Sequence, residues 1–179
     1  MAQTSPVAAR SGEELTIRRF NLRRDREQVL DFQHEVYETN FPGLVVDAFF
    51  LADYQRDLRR AARSPNEALF VMEDGGQLCG FIWAAMISTI IDARVGYIKN
   101  VYVAPQLRGC GQAERLMAVA EQWLREQGLD KIMLDASVVN RRAVRFYEKL
   151  GYATERVRMV KRFGEQSDSA LTNGERVDG

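Results

Sequence analysis

The chain has 179 residues, of which 46% are apolar and 28% charged, and this profile is typical of one globular domain with a sizeable core. Its 25 Lys and Arg residues balance 25 Asp and Glu residues, which argues against a protein that binds nucleic acid or a membrane surface. The single histidine and the spacing of Cys79 and Cys110 match no zinc-ligand pattern, so we expect no metal.

The ends of the chain differ in composition from its middle. No segment is apolar for the length of a membrane span, and the first residues lack the apolar core of a signal peptide. We therefore expect a cytoplasmic protein with free thiols, a single disulfide being the alternative. We expect a flexible lead in residues 1–14, one domain in residues 15–163, and a polar, disordered tail in residues 164–179.

The first half of the chain predicts strand, helix, helix, strand and strand in residues 15–20, 25–38, 47–63, 67–74 and 78–88. Asp25 is the expected N-cap of the first helix, and Pro42 with Gly43 breaks the chain between the two helices. The glycines at 75 and 76 predict a tight hairpin turn between the last two strands.

The second half predicts strand, helix, strand, helix and one or two final strands in residues 94–103, 109–127, 130–137, 140–150 and 152–163. Asn140 is the expected N-cap of the last helix, and Gly128 and Gly151 are the expected helix stops. Strands joined by hairpins should be antiparallel, whereas the strands around Val101 and Met133, joined through a helix, should be parallel. The predicted fold class is a mixed α/β sheet in one domain.

The turn after the strand that ends at Val103 contains Arg108, Gly109, Gly111 and Ala113. Where a strand passes into a helix, unpaired N–H groups and the helix dipole form an anion site. The glycines let a phosphate approach the backbone, and Arg108 can add a positive charge. The spacing fits neither a P-loop nor a dinucleotide fingerprint, and a plain turn that uses glycine for its geometry is the alternative.

A second segment, NRRAVRFYEKLGY in residues 140–152, places Ala143, Phe146, Tyr147 and Leu150 on one helix face. On its own this spacing predicts that Tyr147 is a core aromatic residue.

Together the two segments resemble the GNAT superfamily of acetyl-CoA-dependent N-acetyltransferases, and the resemblance spans about residues 15–163. The first segment follows the family's Arg-x-x-Gly-x-Ala form from Arg108 to Ala113. The second follows its Asn-x-x-Ala-x-x-Phe-Tyr form from Asn140 to Tyr147.

The resemblance implies that the turn cradles the pyrophosphate of coenzyme A and that the preceding strand pairs with the pantetheine arm. The implied coenzyme-binding residues are Val101, Val103, Arg108, Gly109, Gly111, Gln112, Ala113, Asn140 and Ala143. It further implies that Tyr147 gives a proton to the departing thiolate and that a strand N–H near Val101 stabilises the oxyanion, with no metal required.

The chain departs from the family pattern in the strand YIKNVYV, where many members carry a glutamate as general base and this chain has Lys99. A lysine is protonated at neutral pH unless it is strongly desolvated. Candidates for a replacement base lie on the two early helices, which line the acceptor site in this family: His34, Glu35, Glu38 and Asp47. Asp92 either faces the same cleft or is a turn residue, and His34 is equally an ordinary surface histidine.

The implied reaction moves the acetyl group of acetyl-CoA to a primary amine by direct attack in a ternary complex, because no activated nucleophile is apparent. We expect a small-molecule amine as the acceptor. The alternatives are a protein N-terminus or lysine as acceptor, and a non-catalytic acetyl-CoA-binding module. The resemblance is also compatible with a homodimer.

Overall fold

The computed structural model describes residues 15–41 and 43–161, so the predicted lead and tail lie outside the described residues. In chain order the elements are β1 (Thr16–Arg19), α1 (Leu22–Asn40), α2 (Ala48–Ala61), β2 (Glu67–Asp74), β3 (Gln77–Ile87), β4 (Val95–Val103), a 3-10 turn (Pro105–Leu107), α3 (Gln112–Glu126), β5 (Ile132–Leu134) and α4 (Arg141–Lys149). None of the helices in these ranges is both long and apolar enough to cross a bilayer.

The strands form one sheet in the order β1-β2-β3-β4-β5. The first four run antiparallel to their neighbours, and β5 runs parallel to β4 through the helix α3. Between β2 and β3 the two turn residues Gly75 and Gly76 have φ of 54° and 90°, which explains the two glycines of the predicted hairpin. The predicted mixed α/β class is confirmed.

Each face of the sheet carries its own apolar core. On one face Leu116 and Leu124 of α3 pack against β2, β3 and β4. A Cβ placed on Gly96 of β4 would lie only 2.9 Å from a methyl of Leu124, so the glycine permits this close approach. On the other face Tyr54 and Leu58 of α2 join α1 over the buried residues of β2 and β3.

The start of α1 differs from the prediction. Asn21, not Asp25, is the N-cap, and its side chain accepts hydrogen bonds from the N–H groups of Arg23 and Arg24 at 3.0 and 3.2 Å. Asp25 is fully buried and receives two bonds from Arg18 at 2.7 and 2.8 Å. Burial alone would raise the pKa of the Asp25 carboxyl, but the bonds from Arg18 and the Asn21 N–H outweigh it and lower the pKa.

The end of the chain also differs from the prediction. The strand β5 has only three residues, and residues 152–161, the described part of the predicted final strands, form no strand. That prediction is wrong for these residues. Their alternation of apolar and charged side chains favours a strand, but Val157, Met159 and Val160 are exposed and pack on no core.

Candidate functional site

The centre of β4 carries a β-bulge at Lys99. Trp83 of β3 pairs with Asn100 and its neighbour Ala84 pairs with Ile98, so Lys99 is left without a partner. The parallel pairing with β5 stops at the same place, at Ile98 opposite Leu134. Among the described residues, β4 beyond Ile98 therefore has a strand on one side only. We call the space beside its other edge, beyond the last pair of β4 with β5, the opening. The backbone groups of this edge can pair with an extended ligand.

The turn between β4 and α3 leaves backbone N–H groups open. Gly109 and Gly111 have φ of 82° and 76°, a conformation that favours glycine. Gly111 is the N-cap of α3 and offers no side chain, so the first N–H groups of the helix, from Gln112 and Ala113 onward, remain uncapped. A Cβ at either glycine would meet no protein atom within 4 Å. Free N–H groups at a helix N-terminus can bind a phosphate group, and the contact with the pyrophosphate of coenzyme A stays a prediction.

The side chain of Arg108 turns back from this turn. Its Nε donates to the carbonyl of Val103 at 2.8 Å, and its Nη2 pairs with Glu35 of α1. The hydroxyl of Tyr102 donates to the second oxygen of Glu35 at 3.1 Å. Burial, followed by the charge of Glu35, raises the pKa of Tyr102 to about 12. Arg108 therefore connects the turn with α1, and its predicted contact with a phosphate stays a prediction.

Two of the predicted residues lie at and in the helix α4, Asn140 as its N-cap and Tyr147 in its last turns. The Asn140 side chain caps α4, accepting from the N–H of Ala143 at 3.1 Å, and its Nδ2 donates to Asn40 of α1 at 3.0 Å. The predicted N-cap is thus confirmed. Burial raises the pKa of Tyr147 to about 12. Within the described ranges its hydroxyl makes no hydrogen bond, and its role as a proton donor stays a prediction.

Lys99 belongs to a polar cluster that the sequence did not indicate. Its Nζ lies 3.3 Å from Oε2 of Glu67 and 3.8 Å from the ring centroid of Trp83. The indole N–H of Trp83 donates to the same oxygen of Glu67 at 2.7 Å. Beside the cluster lies a cavity of about 360 Å³, lined by Ser64, Asn66, Glu67, Ala85, Met86, Ile87, Tyr97 and Lys99. Glu67 thus brings a carboxylate next to the bulge from β2 rather than from β4.

Three of the other acidic candidates have partners within the chain. Glu35 is engaged by Arg108, and Asp47 caps α2 by accepting from the N–H of Phe50 at 2.8 Å. Asp92 pairs with Lys131 at 3.1 Å. His34 and Glu38 are exposed on α1. Within the described part of the chain, no three His, Cys, Asp or Glu side chains are grouped so that they could hold a metal ion.

An uncapped helix N-terminus next to a strand with an open edge is suited to a long ligand that carries a phosphate. The sequence pattern of the Acetyltransferase (GNAT) family matches residues 28–152. The chain therefore belongs to the GNAT acetyltransferase family, whose members use acetyl-CoA, and the predicted family is confirmed.

Relatives and solved structures agree with this assignment. The chain is 35% identical over 101 residues to the mycothiol acetyltransferase of Thermobispora bispora, covering 54% of this chain and 34% of that protein. It is 27% identical over 111 residues to the aminoglycoside N(6')-acetyltransferase type 1 of Serratia marcescens, covering 59% and 76% of the two chains. An aminoglycoside N-acetyltransferase solved with CoA shares the fold with a TM-score of 0.66 at 21% identity, covering 86% of this chain and 98% of that one. The match thus spans about a third of the mycothiol acetyltransferase.

Proposed function

We propose that residues 15–163 act as an N-acetyltransferase domain that moves the acetyl group of acetyl-CoA to the primary amine of a small molecule. The observation that carries this proposal is the uncapped turn at Gly109 and Gly111, set at the end of the open edge of β4. The acceptor class is supported by the relatives named for mycothiol and aminoglycoside acetylation.

The turn, the open edge of β4 and the start of α4 would hold acetyl-CoA. We assign the pyrophosphate to the N–H groups around Gly109, Gly111, Gln112 and Ala113. Val101 would pair with the pantetheine arm, whereas the carbonyl of Val103 already accepts a bond from Arg108. On the far side of the opening, Asn140 and Ala143 at the start of α4 would complete the contact.

The chemistry follows from two groups of the chain. Bound acetyl-CoA supplies an activated acetyl thioester. The bulge at Lys99 changes the direction of the β4 backbone, so that an N–H between Lys99 and Val101 can point into the opening and stabilise an oxyanion. Tyr147 is protonated at neutral pH, as any tyrosine is, and would give its proton to the departing thiolate. The amine would attack directly in a ternary complex, without an acetylated enzyme.

The proposal is tested by thermal unfolding with and without acetyl-CoA, combined with free-thiol release in the presence of a panel of primary amines. Because a ligand that binds only the folded state raises the melting temperature, we expect stabilisation by acetyl-CoA. We also expect thiol release with at least one amine class. Stabilisation without thiol release from any small amine would favour a protein acceptor or a non-catalytic binding module. No stabilisation at saturating acetyl-CoA would refute the proposal. A homodimer and a cytoplasmic location stay predictions.

A further inference from the structure

The cavity beside Lys99 opens at the point where β4 and β5 separate. Tyr97 and Lys99 line the cavity. Between them Ile98 points to the α3 side, where it belongs to the apolar core. Ile98 also makes the last pair with β5, opposite Leu134. Because neighbouring strand residues point to opposite faces, the cavity lies on the α1 and α2 face of the sheet, directly beside the separation point.

The walls of this cavity combine one carboxylate with an apolar surface. Glu67 is the acidic residue among the lining residues, and its side chain is only 13% exposed. Both the Trp83 and the Lys99 bonds reach Oε2 of Glu67. The other oxygen, Oε1, makes no hydrogen bond within the described residues. Along the end of β3 the wall is formed by Ala85, Met86 and Ile87.

We propose that this cavity is the acceptor subsite and that Glu67 binds the ammonium group of the acceptor through Oε1. This inference rests on the proposed function and specifies its substrate class, a primary amine on a compact apolar body. The indole N–H of Trp83 fixes the carboxylate, and the apolar end of β3 receives the body of the ligand. A cavity of about 360 Å³ is at the small end of the range for ligand sites.

Lys99 is a positioning residue in this arrangement. Its ammonium competes with the ammonium of the acceptor for the charge of Glu67, because both are cations beside the same carboxylate. Its stacking on Trp83 keeps it on one side of Glu67 and leaves Oε1 accessible. Removing the charge of Lys99 should therefore strengthen amine binding, whereas removing the charge of Glu67 should weaken it. A pair that only stabilises the fold would produce neither shift.

The test uses the intact chain and 2-phenylethylamine as the probe, with 2-phenylethanol as its uncharged counterpart. Binding is read from tryptophan fluorescence. Trp83 contacts Glu67 and Lys99 in the wall of the subsite, so a ligand bound to Glu67 should change its emission. Trp123 packs in the core on the α3 face and provides a constant background. We expect a saturable change with the amine and none with the alcohol. We expect Glu67→Gln to weaken amine binding by about 10-fold or more, and Lys99→Met to tighten it by roughly 3-fold.

Equal amine affinity in wild type and Glu67→Gln, or no amine binding by wild type, would overturn the proposal. If Glu67→Gln fails to fold, Lys99→Met decides the question, because an unchanged or weaker affinity contradicts the assignment. Acetyl-CoA binding is measured on the same proteins by thermal shift. If wild type does not bind acetyl-CoA, the proposed function is refuted, and the amine titration then shows only an amine-binding site at Glu67, not an acceptor subsite.

Discussion

Arg108 and Glu35 form an ion pair across 73 residues of chain, joining the end of β4 to α1. Arg108 also holds the carbonyl of Val103, and Tyr102 donates to the same glutamate. Arg108, which lies at the start of the turn proposed to bind phosphate, is therefore fixed by α1. This connection makes Arg108 a structural support of the turn whether or not it also contacts a phosphate.

Glu35→Gln tests the role of this pair. The side chains of Arg108 and Glu35 are 32% and 38% exposed, so we expect a loss of only about 0.5–1 kcal/mol in the free energy of unfolding. Acetyl-CoA affinity should stay within about twofold, since Arg108 keeps its bond to Val103. Denaturant unfolding and calorimetric titration measure the two effects. A marked gain in acetyl-CoA affinity would contradict this, because it would mean that Glu35 holds Arg108 away from the phosphates.

Gly111→Ala tests the turn as a phosphate site, and the chain contains a matched control in Gly128. The two glycines have φ of 76° and 78°, and a Cβ at either meets no protein atom within 4 Å. Each alanine should therefore cost about 1 kcal/mol of stability from backbone strain. We expect only Gly111→Ala to weaken acetyl-CoA binding, by about 10-fold or more, because its methyl group occupies the place of the phosphate. Equal acetyl-CoA affinity in the two variants would contradict the proposal that the turn binds a phosphate.

Tyr147→Phe separates catalysis from coenzyme binding. The hydroxyl makes no hydrogen bond within the described ranges, so its loss should hardly affect the fold or the affinity for acetyl-CoA. Turnover with the best amine of the panel should fall by about 100-fold, as for the loss of a general acid. Steady-state kinetics and calorimetric titration give the two values. Parallel losses in kcat and in acetyl-CoA affinity would show that Tyr147 only packs against its neighbours.

The local parts of the site could be predicted from the sequence, because local backbone chemistry determines them. Gly109 and Gly111 lie where the chain needs positive φ, and Asn140 caps α4 with its own side chain. The same reasoning failed for Asp25, although aspartate is an equally good cap. Asn21 is the N-cap, and Asp25 is buried in an ion pair with Arg18 of β1.

The long-range parts of the site could not be predicted. Glu67 begins a strand and Lys99 lies 32 residues later, and the alternation of residues gives no indication that their side chains meet over Trp83. The bulge that turns Lys99 out of the ladder is equally absent from the pattern, since it appears only when β3 and β4 are paired. Contacts of this kind depend on register between strands, which a single sequence specifies weakly.

Alkaline unfolding gives an independent measure of the burial of Tyr147. Its pKa is raised to about 12, whereas a tyrosine in the unfolded chain ionises near pH 10. Between these values the unfolded chain loses the proton and the folded protein keeps it. The stability is therefore complete below pH 10 and declines as the pH rises towards 12. This one group should lower the free energy of unfolding at pH 11 by about 1 kcal/mol relative to pH 9.

Between pH 9 and pH 11 the free energy of unfolding of Tyr147→Phe should therefore fall by about 1 kcal/mol less than that of wild type. Denaturant unfolding at both pH values measures the difference. Phe146→Leu is the control. It removes the aromatic ring next to Tyr147, at a centroid distance of 5.2 Å, but no ionisable group. It should lower the stability equally at both pH values. An unchanged pH dependence in Tyr147→Phe would mean that the hydroxyl is open to water, and a water-exposed phenol would not stay protonated beyond its ordinary pKa.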